Sequence, residues 1–222
     1  EVTASQQSGA AQTITVSARD DYGNVDTTYT GLKNLTFSGA TASGPPNPSV
    51  AGTDFGGATT LTFASGQVTA SMILYAAETA SVDTDDGTLD STGDAAYDLD
   101  VTVAANHLVI TGSAGQIAGS AQALTITAKD YYGSTDTGYT GPKSLTFSGP
   151  AASADGDNPT VTDSSSTPVA VGSTTTITFT AGVASAGGSM VLYKSEGAAV
   201  DVSDGTIDTT GDAAYDLDVA VI

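Results

Sequence analysis

The feature that most constrains this chain is that it matches itself. Arg19-Asp20-Asp21-Tyr22-Gly23 aligns with Lys129-Asp130-Tyr131-Tyr132-Gly133, and Leu35-Thr36-Phe37-Ser38-Gly39 aligns with Leu145-Thr146-Phe147-Ser148-Gly149. Near the end, Gly93-Asp94-Ala95-Ala96-Tyr97-Asp98-Leu99-Asp100-Val101 returns unchanged as residues 211–219. The offset opens at 110 residues (Lys129 against Arg19) and closes at 118 (Tyr215 against Tyr97). The extra residues of the second copy fall at Ala154–Asp157, Ser164–Gly172 and Ala184–Gly188. These stretches are rich in Gly, Ser and Asp and read as loops, where insertion is tolerated. A period this long is no solenoid unit; it predicts separate modules, each with its own core, over residues 1–105 and 106–222. The junction at Ala104-Ala105-Asn106 has no Pro/Gly/Ser linker. A junction that short predicts a semi-rigid rod.

Period-2 alternation dominates both copies. Ile14, Val16 and Ala18 face one way and Thr13, Thr15 and Ser17 the other; Leu124, Ile126 and Ala128 repeat the pattern. Leu35 with Phe37 and Leu61 with Phe63 are further inward pairs, and Met72-Ile73-Leu74-Tyr75 reads as a central strand. In the last strand Tyr97, Leu99, Val101 and Val103 are predicted inward, with Asp98, Asp100 and Thr102 outward. Gly and Pro punctuate the strands, and no long window has helical periodicity. The predicted fold is all-β: two tandem immunoglobulin-like antiparallel β-sandwich domains of about seven strands each.

The copies differ at their starts. His107-Leu108-Val109-Ile110-Thr111 reads as an apolar opening strand, and its equivalent in the first copy falls at and before Glu1. Two readings follow. Either the chain is cut from a longer array, or the missing edge strand is supplied in trans by a neighbour, as in donor-strand assembly. The expected partners are therefore neighbouring Ig-like modules or subunits of the same protein.

Charge narrows the other partners. The net charge is −20, and the five bases (Arg19, Lys33, Lys129, Lys143 and Lys194) form no cluster. Nucleic-acid binding needs such clusters to displace counterions, so nucleic acid is excluded as a partner. No apolar run approaches the ~18 residues of a membrane span, so membrane insertion is not expected. There is no Cys, which removes disulfides, thiolate metal sites and a Cys nucleophile.

The strand Ala123 to Asp130, its turn at Tyr132-Gly133, the stretch Thr137-Gly138-Tyr139-Thr140-Gly141 and the strand Leu145-Thr146-Phe147-Ser148 together resemble bacterial immunoglobulin-like (Big-type) repeats. Such repeats occur in surface and secreted proteins, including invasin-type adhesins. The first copy carries the same features at Asp20, Tyr22-Gly23-Asn24 and Tyr29-Thr30-Gly31. The resemblance implies an extracellular or cell-surface location, a stalk or binding role, and no shared catalytic residues. The second copy has Ser134 where the first has Asn24, which predicts a different turn geometry.

Aspartates are the candidate chemical feature. Asp83, Asp85, Asp86 and Asp90, with Asp201, Asp204 and Asp208 in the second copy, are the candidate Ca²⁺ ligands, because Ca²⁺ takes carboxylate oxygens from flexible loops. Calcium is the only cofactor this composition suggests. The competing reading is that these residues cap turns and coat the solvent face. Asp20, Asp21, Asn24 and Asp26 are read as turn formers in the same way. Lys33 and Lys143, with Asp98 and Asp216, have the residue types of a Lys–Asp isopeptide bond, against which stands the simpler reading of exposed lysines. His107 is the only histidine, so no Ser–His–Asp arrangement repeats across the copies and no enzyme is expected. The functional expectation is an extracellular structural protein, a stalk or a building block of a surface filament or layer. The alternative is an adhesin or carbohydrate-binding accessory module of a larger secreted protein, with Tyr22, Tyr131 and Tyr132 as its exposed aromatic candidates.

Overall fold

A computed structural model describes residues 4–210 and 212–222. Among them there is no helix, and hence no helix long and apolar enough to cross a membrane. The chain divides into two compact units, Glu1–Ala104 and Ala105–Ile222.

Unit 1 contains β1 (Ala4–Gln7), β2 (Ala11–Ser17), β3 (Gly31–Ser38), β4 (Ser49–Val50), β5 (Thr53–Asp54), β6 (Ala58–Phe63), β7 (Gln67–Ile73), β8 (Thr79–Asp85) and β9 (Leu99–Ala104). They form two sheets, ordered β2-β7-β4-β5 and β1-β9-β8-β3-β6. All pairings are antiparallel except β1 with β9, which runs parallel from Ala4↔Val101 to Gln7↔Ala104. The alternation expected from sequence places Leu35, Phe37, Leu61 and Phe63 inside. Val50, Met72, Leu74 and Val101 complete the centre of this core, each at 1% exposure or less.

Unit 2 contains β10 (His107–Thr111), β11 (Gly115–Gln116), β12 (Ala121–Ala123), β13 (Thr125–Lys129), β14 (Gly141–Ser148), β15 (Thr160–Thr162) and β16 (Pro168–Ala170). It continues with β17 (Thr174–Thr180), β18 (Val183–Ala186), β19 (Ser189–Val191), β20 (Gly197–Ser203) and β21 (Leu217–Val221). The segment matching β7 is interrupted here by Gly187 and Gly188, both at positive φ. Its first half, β18, pairs with β13 and β17, and its second half, β19, pairs with β12 and β15. One inserted stretch therefore shares a single strand position between the two sheets. A second insertion, Ser164–Gly172, enlarges the hairpin of β15 and β16, which matches that of β4 and β5 in unit 1. Phe147, Phe179, Leu145, Ile126, Ile177 and Met190 form the centre of the second core. In both units, sheets pack over one apolar interior as each strand presents alternate side chains to it. Both units are immunoglobulin-like β-sandwiches.

Gly39 and Gly149 show how closely the repeat is conserved in three dimensions. Each follows the matched strand β3 or β14, at φ +96 and +108. A Cβ on either would lie 1.8 Å from a backbone oxygen, that of Ser81 or of Ala199. Only glycine fits there, for want of both space and allowed φ.

Two expectations need correction. The turns at Tyr22-Gly23 and Tyr132-Gly133 are built alike. In each, Asp20 or Asp130 accepts, through its Oδ1, the amides of the residues two and four ahead, and the left-handed residue is Gly23 or Gly133. Exchanging Asn24 for Ser134 leaves the backbone turn unchanged because neither occupies the positive-φ position. Tyr97, expected inward, is half exposed, and the last strand starts only at Leu99. Asp98, expected outward, is half-buried and its Oδ1 is enclosed.

Candidate functional site

The candidate site is the place where the units differ. In unit 2, β10 lies antiparallel to β13, from His107↔Lys129 to Thr111↔Thr125. On its other side, the amides of Leu108 and Ile110 donate to the carbonyls of Asp208 (3.1 Å) and Tyr215 (2.9 Å). The strand is thus wedged between β13 and the segment after β20. Its alternate side chains, Leu108 and Ile110, are 0% and 1% exposed. Its first residue, His107, stacks on Tyr215 with ring centroids 4.1 Å apart and planes 22° from parallel. Burial pushes the His107 imidazole below its ordinary pKa, as does the Lys129 charge, while Asp130 and Asp212 oppose the shift.

In unit 1 the position of β10 falls at and before Glu1, outside the described residues. β2 is an edge strand there, paired only with β7 among the described strands. The Ala18 amide donates to the Gly66 carbonyl on the β7 side, so the amides of Thr15 and Ser17 face the open edge. Beside that edge lies a groove of about 630 Å³. Its walls include Val16 and Ala18 of the β2 edge, Leu89 and Asp90 after β8, and Tyr97 and Leu99 at the start of β9. The matched pairs differ in burial. Leu89 is 46% exposed and its counterpart Ile207 is 4% exposed. Leu99, Val16 and Tyr29 are half-buried, whereas Leu217, Ile126 and Tyr139 are buried. Gln12, Thr84 and Asp98, which also line the groove, each enclose a side-chain oxygen without a hydrogen-bond partner among the described residues.

The groove wall is acidic: Asp20, Asp21, Asp83, Asp86, Asp90 and Asp98 line it with Arg19 as the one base. Most of these carboxylates are occupied by local turns. Asp85 Oδ1 accepts the Gly87 amide, Asp90 Oδ1 accepts the Thr92 hydroxyl, and Asp83 Oδ1 accepts the Ser91 hydroxyl. Asp86 Oδ1 accepts the amides of Thr88 and Leu89, and its Oδ2 accepts the Tyr29 hydroxyl. The second copy repeats the scheme. Asp204 accepts from Thr206, Ile207 and Tyr139, Asp208 from Thr210, and Asp201 from the Thr209 hydroxyl. Burial works to raise the Asp86 pKa, but the Leu89 amide, the Tyr29 hydroxyl, the Thr88 amide and the Lys33 charge together hold it low. Among the described residues, no three acidic or histidine side chains converge as a metal-binding group.

Lys33 and Lys143 lie on the matched strands β3 and β14 and are not simply exposed. Each is half-buried with its Nζ over a tyrosine ring, Tyr29 at 4.1 Å and Tyr139 at 4.3 Å. Each tyrosine stands edge-on to a core phenylalanine, Phe63 or Phe179, with centroids 4.8 Å apart. Burial raises the pKa of both tyrosines, and the hydrogen bonds to Asp86 and Asp204 raise it further. The result is a repeated Lys–Tyr–Asp chain that ties β3 or β14 to the acidic turn. Sequence reading missed this chain, and it missed Leu89. Its signal was an aliphatic residue held at one position of two otherwise polar turns, Gly87-Thr88-Leu89 and Gly205-Thr206-Ile207.

No family model matches the chain, and no curated protein matches it. Similar solved structures include the Yersinia pseudotuberculosis adhesin InvE, at 17% identity and a TM-score of 0.35, over 99% of this chain and 56% of that one. Yersinia pseudotuberculosis InvD gives 18% and 0.35 over 99% of this chain and 55% of that one. Domains 5–6 of the S-layer protein SbsC give 19% and 0.27 over 100% of this chain and 94% of that one. The chain therefore spans a little over half the length of the two Yersinia structures.

Proposed function

We propose that this chain is a structural building block of an extracellular, cell-surface assembly, whose modules join their neighbours by β-strand addition at the unit 1 groove. The observation that carries this reading is the β2 edge, unpaired among the described residues, beside a groove whose counterpart in unit 2 is filled by β10. An exposed edge with an adjacent apolar slot is the arrangement that a donated strand completes, the main chain supplying affinity and alternate side chains supplying fit. The acidic surface suits this role, since charge around an edge suppresses unspecific pairing.

The test is a chain extended after Ile222 by a copy of residues 105–113. It is expected to form linear multimers by light scattering, with slowed hydrogen exchange at the Thr15 and Ser17 amides. An extended chain that stays monomeric and leaves those amides freely exchanging overturns the proposal.

The second reading, a carbohydrate-binding or adhesive module, rests on Tyr22, 90% exposed, and Tyr131, 50% exposed, on matched turns. A flat exposed ring is what stacking against a sugar would use. A glycan array that detects no binding removes it.

A further inference from the structure

Two insertions of unit 2 fall on one sheet edge, and unit 1 leaves the matching edge, that of β6, unpaired among the described residues. We propose that this edge of β6 pairs antiparallel with the β6 of a second copy of the chain, so that two sandwiches share one continuous sheet. The contact uses neither β2 nor its groove and stands apart from the function proposed above.

Register identifies the free groups. Ala64 and Gln67 exchange both backbone hydrogen bonds, at 2.9 and 3.2 Å, on the side of β6 away from β3. Backbone groups alternate along a strand, so the amides and carbonyls of Ala58, Thr60 and Thr62 point the same way. On its other side β6 pairs with β3, from Gly31↔Phe63 to Thr36↔Ala58 without a shift. No described strand lies beyond the three free residues. They end the sheet β1-β9-β8-β3-β6 at the edge farthest from β1.

Unit 2 covers the same groups with its own insertions. The counterparts of Thr60 and Thr62 are Thr176 and Thr178 on β17. The Ser164 amide donates to the Thr176 carbonyl at 2.8 Å, and the Ser185 hydroxyl to the Thr178 carbonyl at 3.1 Å. Strand β18 pairs along the edge as well, at Thr178↔Ala186, Phe179↔Ala184 and Thr180↔Val183. Ser164 belongs to one insertion, and Ala184, Ser185 and Ala186 to another. The fold thus fills this edge where those residues are present, and unit 1 has no counterpart of them.

Charge and symmetry point to a second copy as the occupant. Ala58-Thr59-Thr60-Leu61-Thr62-Phe63 has no charge, no proline and no bulge, the devices that guard an edge. The edge strands β5 and β16 carry Asp54 and Pro168. The hollow beside β6, lined by Thr15, Thr62, Ala64, Gln67, Val68 and Thr69, is uncharged too. Two chains of net charge −20 approach with least repulsion where both are neutral. The strand is also its own complement. With Thr60 on a two-fold axis, Thr60 faces Thr60 and Ala58 faces Thr62, so each free amide meets a free carbonyl.

The contact is smaller than a standard interface, so a reversible dimer is expected, with a dissociation constant of about 0.1–1 mM. Sedimentation of the full chain across that range, with amide exchange read by NMR, tests it. A dimer and slowed exchange at Thr60 and Thr62 are expected together. Thr60→Lys alters an exposed side chain and lowers the net negative charge, yet it sets two lysines face to face. It should weaken the dimer roughly tenfold with the melting temperature unchanged. Thr60→Pro removes an amide that β3 does not use and should weaken the dimer further. Thr176→Lys, the matched change in unit 2, should leave dimerisation unaltered.

A chain that stays monomeric up to about 1 mM overturns the proposal, as does a dimer that both Thr60 variants leave intact. Equal weakening by Thr176→Lys assigns the effect to charge alone and also overturns it. A dimer that protects Thr15 and Ser17 but not Thr60 and Thr62 associates through β2. That result removes the β6 contact and leaves the function proposed above standing.

Discussion

Units 1 and 2 are the same sandwich, and they differ most beside β2 and its counterpart β13. Unit 2 holds β10 between β13 and the Asp208–Tyr215 segment, and Ile207 and Leu217 are buried beneath it. In unit 1 the matching strand position falls outside the described residues, and among those described Leu89 and Tyr97 are half exposed. Burial at this side of the sandwich follows the strand laid against it: the counterparts of Leu89 and Tyr97, Ile207 and Tyr215, are covered where β10 is in place.

The comparison breaks most easily at β10. Leu108→Asp places an unpaired charge at a site of 0% exposure, and it is expected to cost unit 2 about 4 kcal/mol or more while leaving unit 1 untouched. Urea denaturation followed by residue-resolved hydrogen exchange separates the units, and a loss below about 1 kcal/mol would show that β10 is dispensable. Next in size is a matched pair. Ile207→Ala is expected to cost about 2–5 kcal/mol, as for other buried aliphatics, whereas Leu89→Ala should stay within about 0.5 kcal/mol, as for surface positions. Equal costs would mean that unit 1 is closed in solution. Adding a free peptide that copies residues 105–113 should raise the Leu89→Ala cost toward that of Ile207→Ala.

A smaller difference is expected with pH. His107 has its pKa lowered in the folded state, so the unfolded chain takes up the proton first. Stability is complete above the ordinary imidazole value of 6.5 and falls as pH drops through it toward the folded value. Melting between pH 8 and about pH 5, above the carboxylate range, should therefore weaken unit 2 alone, and His107→Phe should remove the effect. A fall shared by both units would assign it to other groups. The smallest effect concerns calcium. The carboxylates of Asp85, Asp86, Asp204 and Asp208 already accept turn amides, and Asp83, Asp90 and Asp201 accept hydroxyls. Calcium and chelator are therefore expected to leave both melting temperatures within about a degree, an interval matching a few tenths of a kcal/mol. A rise of several degrees in either unit would restore these aspartates as ligands.

Much of this architecture was legible in the residues. Alternation placed Leu35, Phe37, Leu61, Phe63, Leu124 and Ile126 inside, because an inward side chain in a pleated strand must be apolar whatever surrounds it. The offset between copies also put the counterpart of His107–Thr111 at and before Glu1, outside the described residues. Alternation failed at Tyr97, where the period continues in the letters although the strand begins two residues later. It could not find the groove either. Leu89 lies in a turn, where no period applies, and its meaning comes only from its distance to β2 in space. The Lys33–Tyr29–Asp86 chain was hidden for a related reason. Its members come from three separate segments, and each has an ordinary local explanation as a strand lysine, a turn tyrosine or a turn aspartate.

The parallel pairing of β1 with β9 has a mechanical consequence. These strands stand near the beginning and the end of unit 1 and run in the same direction. Tension applied through Ala4 and Ala104 therefore pulls them in opposite senses along their common axis. The inter-strand hydrogen bonds lie across that axis and are strained together as a set, whereas a hairpin pulled at its open end parts one bond at a time. Unit 2 repeats the device in the shorter pair β11 with β21. Under load, each sandwich should yield by the abrupt rupture of a whole ladder and hold its length until then.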